Sequence, residues 1–256
     1  MKSKRLARED VTDAMTTSLR RFHFVRAFWE GGSAAYNRVD RWSDLDLYLL
    51  VDERKVSSTF KIVESTLRAL SPISLTYEVE SGFEGVAQKF YKLKNMDEFS
   101  VIDLAVLTAR SPENFLTPEI HGDCVFYFNK RNAARAKPLN RTSLARRRRR
   151  RLDRLAMRFE LFNNYVVKEL ERGHSLEALE DYRAVTLATL VEALRMRQSP
   201  LHFDFRMHYV DRELTPEAVG RLVRLSYVSN PNELREKYAE ATAWCKKALR
   251  EASQEP

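Results

Sequence analysis

Residues 22–51 read FHFVRAFWEGGSAAYNRVDRWSDLDLYLLV, and this stretch decides how the chain folds. FHFVRAFWE is an apolar run that stops at Gly31-Gly32-Ser33, and LDLYLLV (45–51) is a second run bounded by Ser43 and by Asp52-Glu53. Short apolar runs closed by small or polar residues read as strands. Working outward, ISLTYEVE (73–80) sets Ile73, Leu75, Tyr77 and Val79 on one face against Ser74, Thr76, Glu78 and Glu80 on the other. VAQKFYKL (86–93) and FSVIDLAVL (99–107) follow at hairpin-like spacing, and CVFYF (124–128) closes the set. Val11, Met15, Leu19 and Phe22 are spaced for one face of a helix before the first strand, and Val56, Phe60, Val63, Leu67 and Leu70 for another over 55–70. Residues 1–140 are therefore expected to form an α+β domain, a mixed sheet with flanking helices.

Beyond about Ser143 the period turns helical. Leu152, Leu155, Phe159, Phe162 and Val166 form a stripe at i, i+3/i+4 spacing, with Gly173 as its stop. Leu179, Tyr182, Thr186, Leu190 and Leu194 repeat the pattern until Pro200. Thr215-Pro216-Glu217 and Asn230-Pro231 each place a cap residue before a proline at the first helical position. Residues 141–256 are expected to be an all-α domain, a four-helix bundle, with the boundary at KPLNRTS (137–143).

Composition narrows the classes. The 256 residues are 44% hydrophobic with 7 Gly and 8 Pro, which excludes collagen-like and disordered chains. No apolar stretch reaches the roughly 18 residues of a membrane span, and the basic start MKSKRLARED runs into polar residues rather than a signal-peptide core. Cys124 and Cys245 match no metal or redox spacing, so a reducing, cytoplasmic compartment is the simplest reading. The net charge of +8 divides as +2 over residues 1–140 and +6 over 141–256, and the run Arg146–Arg151 accounts for the latter alone. The basicity is a local cluster, not a basic surface. Opening a helix, that cluster is a solvated face or a contact for phosphates or nucleic acid.

The chemistry concentrates in Gly32-Ser33 and, ten residues later, Asp44-Leu45-Asp46 entering an apolar strand. Carboxylates at i and i+2 on a strand share a face and repel unless a cation lies between them. Mg2+ takes hard oxygen ligands and leaves positions for phosphate oxygens. A Gly-Ser turn offers unhindered amides and a hydroxyl to the same phosphates. An Asp-x-Asp on a half-exposed strand is ordinarily a solvated face; the apolar flanks Leu45, Leu47, Leu49, Leu50 and Val51 argue for an interior strand instead. No Walker, Rossmann, zinc or Ser-His-Asp pattern is present. His23, His121, His174, His202 and His208 form no ligand cluster in sequence.

Gly32-Ser33 followed by Ser43-Asp44-Leu45-Asp46-Leu47 resembles the signature of the DNA polymerase beta-type nucleotidyltransferase superfamily: Gly-Ser, about ten residues, Ser-Asp-x-Asp and an aliphatic strand. Within it the chain is similar to aminoglycoside adenylyltransferase-like proteins, which pair a small nucleotidyltransferase domain with a C-terminal helical domain that binds the acceptor. The resemblance implies that Gly32, Ser33 and Ser43 bind the nucleotide's phosphates and that Asp44 and Asp46 are ligands of Mg2+, two ions in all. It implies a third carboxylate as metal ligand or base. Glu78 is favoured from the order of elements, with Asp103, isolated in the apolar run VIDLAVL, as the alternative. ATP is the donor the resemblance implies, the acceptor hydroxyl is not identified, and an aminoglycoside-like molecule is one option. An RNA end reached through Arg146–Arg151, a protein side chain, or a catalytically silent nucleotide-binding module are the competing readings. Glu177, Glu180 and Asp181 are explained by the helix dipole, with contact to an acceptor amine as the alternative, while His202, Asp204 and Arg206 alternate with aromatics either as an exposed loop or as the wall of an acceptor pocket. Oligomeric state is open, a homodimer included.

Overall fold

The computed structural model describes residues 5–80, 83–112 and 114–254. It divides into two units, Met1–Leu139 and Asn140–Pro256. The first contains α1 (Arg8–Arg20), β1 (Val25–Glu30), the single turn α2 (Gly32–Ala35), β2 (Leu45–Val51), α3 (Val56–Leu70), β3 (Ile73–Glu78), β4 (Val86–Leu93), β5 (Ile102–Leu107), the short α4 (Pro118–His121) and β6 (Val125–Asn129). The strands form one six-stranded sheet in the order β3-β4-β5-β2-β1-β6. β2 and β5 run parallel and the other neighbours antiparallel. The sheet is thus mixed, and LDLYLLV is an interior strand.

The alternation within β2 builds the two faces. Leu45, Leu47 and Leu49 are fully buried and Val51 nearly so. They pack with Val11, Met15 and Leu19 of α1 and Phe60, Val63 and Leu67 of α3, so both helices cover one face. Each such side chain contributes roughly 1.5–3 kcal/mol by leaving water. The even positions Tyr48 and Leu50 face the other way into a smaller cluster with Trp29, Ala105, Leu107 and Leu116. There Trp29 stacks on Tyr48, ring centroids 5.5 Å apart and planes 11° from parallel. β3 is an edge strand, which is why the apolar face of ISLTYEVE stays open: Leu75 is 66% and Tyr77 65% exposed.

The regular elements of the second unit's described residues are all helical, among them α5 (Arg141–Phe162), α6 (Tyr165–Glu171), α7 (Ser175–Asp181), a π-helical turn (Tyr182–Leu187), α8 (Ala188–Gln198), α9 (Val210–Glu213), α10 (Pro216–Ser226) and α11 (Pro231–Ser253). Side chains start the longer helices. The carboxamide oxygen of Asn140 accepts from Ser143 N–H (2.8 Å), the Thr215 hydroxyl from Ala218 N–H (3.3 Å), and the Asn230 side chain from Glu233 N–H (3.0 Å). Gly173 adopts φ +78° and closes α6 as expected of a C-terminal glycine.

One residue of the expected stripe is displaced. Leu152, Leu155, Phe159 and Val166 are buried, but Phe162 is half-exposed. The helix breaks at Asn163, which takes the inward position instead. Its amide donates to Tyr238 Oη (2.9 Å) and Thr242 Oγ1 (3.1 Å) and its oxygen accepts from Thr186 (2.7 Å). A buried amide with three partners fixes α5, the π turn and α11 to one another.

Candidate active site

The parallel register aligns Asp46 of β2 with Asp103 of β5, so the two side chains share the face opposite α1 and α3. Asp44 sits one residue before β2, exposed, with its Oδ1 accepting from Val101 N–H at 3.0 Å. The Gly31 amide donates to the Asp46 carbonyl (2.9 Å), which lays the turn after β1 directly against the start of β2. Gly32 has φ +51°, and a Cβ built there would lie 1.7 Å from Asp46 Oδ2. Only glycine fits, on both counts. Behind it, the Ser33 hydroxyl is buried and has no hydrogen-bond partner among the described residues.

These acids perturb one another. Burial pushes Asp46 up to about 6, with Asp103, Asp44 and Glu30 adding to the rise and Arg8 opposing it. Asp103 is also raised, first by burial, against a hydrogen bond from Gln88 Nε2 to its Oδ1 (2.6 Å) that favours the charged form. Arg8 holds the frame. It pairs with Glu30 and donates to the carbonyls of Ser43 (2.8 Å) and Asp44 (2.9 Å). Glu30 is buried and also accepts from Tyr127 Oη (2.5 Å). The sequence reading missed Arg8, Glu30 and Gln88. An acid ending an otherwise apolar run was the available signal for Glu30; Gln88 carried none.

Glu78, the favoured third carboxylate, is not brought to this group. Strand register pairs Glu78 with Lys89 and Lys89 with Leu104, whereas Tyr77, Phe90, Asp103 and Asp46 form the adjacent row. Adjacent rows point to opposite faces. Glu78 therefore lies on the α3 side, 3.0 Å from Lys89 Nζ, which also approaches Glu64 of α3 (3.5 Å). Ser43 is likewise used elsewhere: its hydroxyl donates to Asp40 Oδ1 (2.9 Å) and accepts from Asp40 N–H (3.0 Å), closing a local turn. The structure brings together Gly32, Ser33, Asp44, Asp46 and Asp103.

The donor set is all carboxylate and hydroxyl, the hard chemistry that Mg2+ takes. The ligand oxygens of Asp44, Asp46 and Asp103 do not all close within 4.8 Å, a limit that Glu169, His174 and Glu177 of the second unit alone meet among the described residues. That second group is accounted for by its own pairing. Glu169 is held below the usual carboxylate range chiefly by His174, whose Nδ1 is 2.9 Å away, and by Arg172 at 2.7 Å.

The arginine run lies in the second and third turns of α5, where about 100° per residue spreads it around the helix rather than along one face. Arg151 makes a two-point contact with Glu192 (2.5 and 2.8 Å), Arg147 approaches Asp204 (3.5 Å) and Arg149 approaches Asp153 (3.4 Å). His202 also has a structural task. Its Nδ1 lies 2.7 Å from Glu213, the partner of the fully buried Arg195. No helix among the described residues is long and apolar enough to cross a membrane.

No family model matches the sequence, and no curated protein matches it. Among solved structures, an aminoglycoside 6-adenyltransferase from Bacillus subtilis aligns with 96% of this chain and 88% of its own, at 15% identity and a TM-score of 0.36.

Proposed function

We propose that the first unit carries a Mg2+-dependent nucleotidyl-transfer site that moves AMP from ATP to a hydroxyl acceptor and releases pyrophosphate. The observation carrying this reading is the contact of Gly32 with the Asp46 carboxylate, beside a buried Ser33 hydroxyl that no group among the described residues satisfies. An unpaired buried hydroxyl costs about 1–3 kcal/mol unless something answers it. A phosphate oxygen does so, and the side-chain-free backbone at Gly32 admits it. The burial of Asp46 and Asp103, with like-charged neighbours adding to its cost, calls for a cation at the same place.

Asp44 and Asp46 would hold Mg2+, which when bound neutralises phosphate charge and polarises the α-phosphorus. Gly32 and Ser33 seat the phosphates. Asp103 takes the acceptor's hydroxyl proton as the new oxygen–phosphorus bond forms and the bond to the pyrophosphate oxygen breaks. Gln88 holds one Asp103 oxygen and leaves the other to accept that proton. Glu78, tied to Lys89 on the far face, has no part in the step. The paired and dispersed arginines of α5 give an RNA acceptor no continuous contact surface, which favours a small acceptor.

The test is pyrophosphate release from Mg2+ and ATP across a panel of hydroxyl compounds. Asp46→Asn and Asp103→Asn are expected to lose about 100-fold or more, and Glu78→Gln to stay within about twofold. Activity that survives Asp46→Asn would refute the metal site. ATP binding without turnover on any acceptor would identify a silent module instead.

A further inference from the structure

The second unit contains a cavity of about 720 Å3 between α5, the π turn, α8 and the 206–207 segment. This is the size of a small-molecule site. Its wall is strongly one-signed: Arg151, Arg158, Arg183 and Arg206 face Glu192 alone. Arg151 is neutralised by Glu192, but the guanidinium groups of Arg183 and Arg206 have no hydrogen-bond or ion-pair partner among the described residues. Arg158 donates to the Ala184 carbonyl (3.1 Å) in the π turn and keeps its other N–H groups. The apolar floor open to a ligand is Ala184, Ala188 and Met207, backed by the buried Leu155, Leu187 and Val191.

Two further features single the cavity out. Thr189 lines it, is fully buried, and its hydroxyl has no partner. The wall also includes the π turn, whose i→i+5 geometry is found chiefly where a helix serves a site. Arg206 itself has φ +53° and is held there by Arg195, whose Nε donates to its carbonyl at 2.7 Å.

We infer that this cavity binds a small organic anion, a phosphate or carboxylate on an apolar body. The charged group is held by Arg158, Arg183 and Arg206, and the apolar body lies against Ala184, Ala188 and Met207. Guanidinium forks match both oxyanions, and an apolar floor adds affinity that a free inorganic ion cannot gain. A polycation such as an aminoglycoside is repelled by the same wall. The inference is independent of the nucleotidyl-transfer reading.

Titration calorimetry on the full chain, without Mg2+ or ATP, tests it with phenyl phosphate, benzoate, inorganic phosphate and benzylamine. Phenyl phosphate or benzoate is expected to bind one to one, at least about tenfold tighter than inorganic phosphate, with benzylamine silent. The paired change Arg183→Ala with Arg206→Ala should weaken binding at least about tenfold while leaving Tm within about 2 °C, both side chains being exposed and unpartnered. Asp44→Asn with Asp46→Asn should leave it unchanged, as should Arg146→Ala with Arg148→Ala. Absence of binding by both organic anions overturns the assignment. So does binding that survives the Arg183/Arg206 change, that follows Arg146 and Arg148, or that accepts benzylamine equally.

Discussion

Gly32 and Asp46 make the sharpest statement at the residue scale, because one is shaped by the other. Gly32→Ala would place a methyl group against Asp46 Oδ2 in a left-handed backbone that alanine resists. We expect a loss of about 1–2 kcal/mol in stability and at least about a tenfold drop in Mg2+-dependent ATP affinity, read by thermal melting and calorimetry. Asp46 makes the opposite prediction for stability. Its folded value of about 6 exceeds the ordinary 3.8, so the stability it contributes is present below about 3.8 and is lost as pH climbs through about 6. Asp46→Asn should therefore stabilise the metal-free protein at pH 7–8 by about 1–3 kcal/mol, with the gain vanishing near pH 4. Equal denaturation midpoints for the two proteins at pH 8 would refute the cost of burying the Asp46 charge beside its acidic neighbours. Gly32, Asp44 and Asp46 were readable as residues because their spacing is local in the chain. Ser43 was not, since a neighbouring Asp40 competes for its hydroxyl through a turn that leaves no trace in the motif.

At the scale of elements, the segment from α8 to α9 hangs on one side chain. Arg195 is fully buried and contacts the carbonyls of His202 (3.3 Å), Arg206 (2.7 Å) and His208 as well as the Glu213 carboxylate. Burial pushes Glu213 upward, but hydrogen bonds from Arg195, Ser199 and His202 outweigh it and hold the carboxyl below its usual range. Arg195→Met would leave a buried acid without its counter-ion and three carbonyls without donors. The expected cost is about 3–5 kcal/mol, measured as urea denaturation of the full chain. A loss below about 1 kcal/mol would show that the loop is held by other contacts. The helices themselves were legible from periodicity and capping residues. Their phase was not: Asn163 turns inward where Phe162 was expected, because three hydroxyl-bearing and phenolic partners from distant segments satisfy it. Glu78 fails in the same manner. Alternation located it on a strand, but which face it occupies depends on pairing with Lys89 and Leu104, far along the chain.

For the whole molecule, each unit has a core of its own, one built on the sheet and one among the helices. Residues 1–139 expressed alone should consequently fold, giving a cooperative thermal transition and near-ultraviolet dichroism from buried Trp29. A fragment without such a transition would mean that the sheet's core is insufficient. The change from strand-like to helical patterning was visible from composition and period alone, since it integrates over many residues. The cavity of the second unit was not visible, because its four arginines come from three separate segments and only packing assembles them. The π turn gives that cavity an evolutionary vulnerability. A helix wound this way carries one residue in excess, so deleting any one position between 182 and 187 would let α7 and α8 merge into an unbroken rod. The flanking helices would keep their phase, because the wide turn already absorbs the extra residue, but the widened stretch that sets Arg183 and Ala184 on the wall would be gone. Lineages that drop this residue should keep the bundle and lose whatever it holds.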